Sequence, residues 1–310
     1  MPSDADVSRF LANKLQQYED YIGVESAEPA LYPHLGLTND ILPMFQKRWV
    51  TGPGQCTHKV HERLNGPFKL ASRSLMEEYP LKWFTHLLFG DRVTSLSGTY
   101  IRGNSYSRSS APISKVRDVI NNVGKLVTFM FNPPNCPMRG NGMTMIPKSA
   151  VVREYGHGLD GVIWPRDSRS AIQGKARPTI ILNREWLEYF GRQSSPPLNE
   201  QCRVMFLFAV TLVHEIAHAC NMWLSSAKEP LWSEKDKGSP ELGWSWEREI
   251  IGYSLDTIDD TFSQGTATRY LQQIKMDEYH TPERNEQSFC ASWVVHIGLI
   301  SSHTQTLVVS

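Results

Sequence analysis

Three ionisable side chains fall within about one turn of the most apolar stretch of the chain. They are His214, Glu215 and His218, in the run Val213-His214-Glu215-Ile216-Ala217-His218-Ala219. On a helix, a spacing of four sets both imidazoles on one face, one turn apart, where they can converge on a single ion. Neutral imidazole nitrogens suit zinc, and a catalytic zinc takes three protein ligands and leaves a further position for water. Glu215 follows His214 directly and can stand beside that water as general base, outside the ligand set. Two imidazoles and a carboxylate are costly in an apolar helix unless something pairs with them. The expectation is one Zn2+ per chain, held in part by His214 and His218, with Glu215 catalytic.

The segment that carries these residues predicts a helix from Glu200 to about Leu224, capped by Asn199 after the Pro196-Pro197 break. Between Val204 and Leu224 it is apolar on nearly every face, which marks it as central to the fold. A second helix is expected from Glu241 to Ile258. A last one starts at Thr281-Pro282 and carries Phe289, Trp293, Ile297 and Ile300 on one side. Ahead of the central helix, Leu126–Phe131, Met143–Ile146, Ala150–Tyr155, Gly161–Trp164 and Pro178–Leu182 read as short strands. A short helix over Arg184–Phe190 follows, with Asn183 as cap and Gly191 as stop.

Residues 3–22 show helical spacing through Phe10, Leu11, Leu15, Tyr18 and Ile22. Residues 23–115 mix short apolar runs with Pro, Gly and Ser and give no secure assignment; Gly98–Pro112 reads as an exposed loop. Strands followed by a buried helix and more helices indicate an α+β architecture. The expected organisation is one compact domain over 1–310, with 1–124 an N-terminal region of unassigned fold and 125–300 the catalytic core.

Composition narrows the classes of partner. Lys plus Arg equals Asp plus Glu at 32 each in 310 residues, which argues against the broad basic footprint of a nucleic-acid or anionic-membrane binder. The N-terminus is acidic and lacks the basic-then-apolar order of a secretory signal. The run Val204–Val213 is too short to span a bilayer. Five scattered cysteines, with no C-x-x-C pair, fit reduced thiols. A cytoplasmic protein is expected, with a peptide or small-molecule substrate and with neither nucleic acid nor membrane as partner.

The H-E-x-x-H run between uncharged residues resembles the active-site helix of the zincin metallopeptidases, over roughly residues 179–256. The resemblance implies a small twisted mixed sheet packed on the buried motif helix, further helices C-terminal to it, and a zinc-dependent metallopeptidase activity. It also implies an edge strand that holds extended substrate, for which Pro178–Leu182 is the candidate. The metzincin extension would put Gly at 221 and His at 224, where this chain has Asn221 and Leu224. The branch with a glutamate from the next helix fits instead, and its candidates are Glu241, Glu247 and Glu249.

Glu247 lies on the apolar stripe Trp244, Glu247, Ile251, Leu255, Ile258 and is the first choice, since a carboxylate on such a stripe wants a cation. Glu249 aligns with the more polar Ser245, Tyr253 and Asp256. Glu241 begins the helix, where the dipole alone accounts for an acid. Thermolysin-like zincins carry an Asp four residues after the ligand Glu; here Ile251 stands there, so the groups that orient the imidazoles must come from elsewhere. Tyr253, His280 and His296 are the candidates for stabilising an oxyanion.

Two other functions share these residues. One is zinc-assisted chemistry on a small molecule in a biosynthetic pathway; the other is a non-catalytic, zinc-stabilised binding protein. The run Gly156–Gly161 matches G-x-G-x-x-G, but a strand-like Val162-Ile163-Trp164-Pro165 follows it, so it reads as a turn. Cys56, His58 and His61 read as a solvated loop beside Gly52-Pro53-Gly54, and Trp223, Trp244 and Trp246 as core packing.

Overall fold

The computed structural model describes residues 37–47, 57–96, 98–132, 138, 140–146, 177–193, 196, 198–225, 229–234 and 241–251. The helices expected over 3–22 and from Thr281, the strands Ala150–Tyr155 and Gly161–Trp164, the glycine-rich turn, Cys56, and Tyr253, His280 and His296 lie outside the described residues. The second helix beyond 251 does as well.

The motif helix, α7 (Leu198–Leu224), is the longest described element. It begins ahead of Asn199, so that residue is inside the helix rather than its cap. Val204, Met205, Phe208, Ala209, Leu212, Val213, Ile216, Ala217, Ala219 and Cys220 are all buried, because α7 is covered on several sides at once. The apolar run is longer than its first half suggests. Val204–Leu224 has the length and composition of a membrane span, and 78% of that window is buried inside the protein.

About half of what covers α7 comes from the region whose fold the sequence left open. That region forms α1 (Pro43–Lys47), α2 (His58–Arg63), α3 (Asn65–Met76), α4 (Glu78–Phe89), a hairpin of β1 (Asp91–Ser95) and β2 (Gly98–Arg102), and α5 (Ile113–Leu126). Gly98–Arg102 is thus a strand rather than part of a loop. His58 and His61 sit in α2, capped by Thr57, so the solvated-loop expectation is overturned for them. His61 faces Phe45 and Phe68, whereas the side chain of His58 is 89% exposed.

Phe68 from α3 and Phe208 from α7 meet in a ring cluster with Trp186 and Phe190 of α6 (Arg184–Gly191). One continuous apolar core runs from Leu37 to Ile250. As expected, Asn183 caps α6, its side chain accepting from the Glu185 N–H at 3.1 Å.

A three-stranded mixed sheet lies against α7: β3 (Thr128–Phe131), β4 (Gly142–Met145) and β5 (Thr179–Leu182), in the order β3-β5-β4. β5 is parallel to β3 and antiparallel to β4. The strand expected at the edge is therefore central, and every residue of β5 is buried. A short run that is apolar at each position suits a strand with neighbours on both sides. β3 and β4 are the edges among the described residues, and β4 is the one that meets Glu215. The architecture is α+β.

Candidate metal centre

α8 (Leu242–Ile250) packs beside α7 and completes the site. The four-residue spacing works as the sequence requires: the rings of His214 and His218 lie 5.1 Å apart on one face of α7. Both turn Nε2 toward the same carboxylate oxygen. Glu241 Oε1 is 3.2 Å from His214 Nε2 and 2.6 Å from His218 Nε2. These three donor atoms lie within 4.8 Å of one another and could hold one metal ion. Among the described residues no other group of His, Cys, Asp and Glu is so arranged.

Glu241 serves α8 at the same time. It is the N-cap residue, and its other oxygen, Oε2, accepts the Trp244 N–H. Capping an orphan donor of the first turn fixes the rotamer and leaves Oε1 aimed across at the imidazoles.

The expected third ligand, Glu247, stands elsewhere. It is buried as its apolar stripe predicts, at 3% exposure, but its Oε1 lies 2.6 Å from His214 Nδ1, on the far side of that ring. Helical geometry accounts for the difference: α8 runs past the His214 ring, so a residue one and a half turns in meets the back of the imidazole, while the cap residue reaches its front. The other candidate, Glu249, accepts from Trp232 Nε1 at 3.0 Å and is not part of the group.

A residue the sequence reading missed, Glu229, takes the equivalent place on the second histidine, with Oε1 2.5 Å from His218 Nδ1. Both imidazoles thus have a carboxylate at Nδ1 and present Nε2 to the centre. A carboxylate behind a ligating imidazole fixes its tautomer and orientation and raises its basicity.

Glu215, 3% exposed, is held from the sheet side. The Thr144 hydroxyl is 2.6 Å from Glu215 Oε2 and 2.9 Å from its backbone oxygen. A Cβ at Gly142 would come within 2.7 Å of Glu215 Oε1. Two glycines therefore shape the site, since Gly243 in α8 lies so close to the His214 ring that any side chain there would overlap it.

Burial works against charge on the imidazoles, yet the surrounding carboxylates prevail. For His214, hydrogen bonds to Glu241 and Glu247 and the charge of Glu215 outweigh desolvation and raise the pKa to about 10. His218 is raised well above its ordinary value, with Glu229 and Glu241 outweighing burial. Glu241 is held far below the usual carboxylate range: burial pushes it up, and its hydrogen bonds to both imidazoles pull it down further. Positive charge is thus strongly favoured at the point where the two Nε2 atoms and Oε1 meet. Cys220, two residues past His218, plays no part in this, since burial pushes its thiol up to about 12.

No family model, curated protein or solved structure matches the chain.

Proposed function

We propose that this protein is a zinc-dependent hydrolase of the zincin type, most simply a metallopeptidase, with His214, His218 and Glu241 as zinc ligands. The observation that carries the reading is the convergence of two Nε2 atoms and one carboxylate oxygen, with a second carboxylate behind each imidazole. Two imidazoles and a carboxylate are a donor set that zinc accepts in catalytic sites. A zinc ion held there supplies Lewis acidity toward a carbonyl and lowers the pKa of water that it binds to near 7.

The rest falls to the chain. Glu215 takes the proton from the attacking water and returns it to the leaving amine. Thr144 and Gly142 hold that carboxylate against β4, so its approach is set by the sheet as well as by α7. Glu247 and Glu229 keep both rings turned toward the centre. The peptide reading draws support from β4, an edge strand among the described residues that lies directly beside Glu215. An extended segment laid along such an edge gains main-chain hydrogen bonds and brings its carbonyls close to the general base.

The test is hydrolysis of a mixed peptide library by wild type and Glu215→Gln, with zinc content measured on both. The expected result is retention of zinc with a loss of turnover of about 100- to 10,000-fold. Full activity in Glu215→Gln would overturn the hydrolytic reading, and with it the role given to Glu215.

A further inference from the structure

We propose that Arg92, on the β1–β2 hairpin, is a positioning residue for the metal centre, acting through Glu229 and Asn221 on His218. The inference rests on the metal reading given above, and the hairpin belongs to a part of the chain that the zincin resemblance does not reach.

Asn221 lies three residues past His218 on α7, on the same face, and is 1% exposed. Its Oδ1 accepts from Arg92 Nη2 at 3.0 Å. That bond fixes which way the buried amide faces, and it leaves Asn221 Nδ2 with no partner among the described residues. An unpaired buried amide N–H is a cost, and the bond from the guanidinium to Oδ1 stands beside it at this point of α7. Desolvation lowers the Arg92 pKa, and the charge of Glu229 works against that.

Glu229 sits on a short segment between α7 and α8 that is tied to the same hairpin. The Ile101 N–H donates to Leu231 O at 3.0 Å, and the Leu231 N–H donates to Thr99 O at 2.8 Å. Ile101 is the register partner of Arg92. The next residue, Trp232, stacks on Trp83 of α4 with ring centres 4.5 Å apart. The hairpin therefore holds the Glu229 segment by backbone pairing at Leu231 and holds α7 beside His218 through the Arg92–Asn221 bond. Its one strongly exposed apolar side chain among the described residues, Leu96, stands at the far end.

The experiment measures zinc affinity by competition with a chromophoric chelator, and the visible spectrum of the Co2+-substituted protein. The variants are Arg92→Leu, Arg92→Lys, Glu229→Gln, the Arg92→Leu/Glu229→Gln double variant, His218→Ala and Leu96→Ser. Glu229→Gln is expected to weaken zinc about 10- to 100-fold, and Arg92→Leu about tenfold or less. The double variant should lose less than the sum of the two single losses, because Arg92 acts in part through Glu229. Arg92→Lys keeps the charge and should recover part of the affinity. The Co2+ spectrum should shift in Arg92→Leu and stay as wild type in Leu96→Ser.

Wild-type affinity and spectrum in Arg92→Leu, or losses that simply add in the double variant, would overturn this inference and leave the metal reading standing. Zinc absent from wild type and His218→Ala alike would remove both.

Discussion

The two histidines of the centre carry the same chemistry on different foundations. His214 is backed by Glu247, which is 3% exposed on α8, and its ring is packed against Gly243 so closely that a methyl group has no room. His218 is backed by Glu229 on an irregular segment held by hydrogen bonding to β2, by the Leu242 N–H on Glu229 and by the stacking of Trp232 on Trp83. The first support is inseparable from the core, where displaced side chains have nowhere to go. The second is a polar contact at Glu229 itself, which can be removed while Leu231 and Trp232 keep their packing. One half of the site is therefore expected to report more on folding and the other half more on ligand geometry.

The largest expected effect comes from the core-bound half. Gly243→Ala forces α8 or the His214 ring to move, so zinc occupancy should fall sharply and stability should drop by about 1–3 kcal/mol, read as metal content and a denaturant midpoint. Glu247→Ala, in the same half, leaves a buried imidazole without its carboxylate and carries the largest stability loss, about 3–5 kcal/mol. Glu229→Ala should cost less, on the order of 1–2 kcal/mol, since its segment keeps its backbone pairing. Equal losses in both would erase the distinction between the two supports.

A separate effect is set by pH. The folded pKa of His214 is raised from 6.5 to about 10. Its contribution to the stability of the chelator-stripped protein is therefore complete below about pH 6.5 and fades as pH rises through 10. The melting temperature of stripped protein should decline across that window. Zinc displaces the same protons, so its affinity should climb over that range. A flat melting profile in stripped wild type would show that the imidazoles do not carry that charge.

The motif was legible because a spacing of four fixes two side chains on one helix face whatever surrounds them. The α+β class and the Asn183 cap were legible for the same reason, since both are local patterns. The third carboxylate was not. Glu241 has two oxygens, and assigning one of them to the helix cap does not use up the other. Glu247 was read correctly as buried, but burial reports that a partner exists and not which nitrogen it meets. Glu229 lies between helices, where no periodicity exists to point a side chain. The edge strand is misplaced because Pro178–Leu182 takes that part only from the zincin resemblance and its place ahead of the motif helix. Its unbroken apolar run was the signal for a central position, and Gly142–Met145, half-buried over most of its length, was the better edge.

The account turns on which carboxylate closes the triangle with His214 and His218. The direct measurement is zinc content, per chain, of purified wild type beside Glu241→Ala. About one zinc in wild type and a near-complete loss in Glu241→Ala is the predicted result, consistent with three protein ligands at a catalytic zinc. Zinc bound as tightly to Glu241→Ala as to wild type would contradict it.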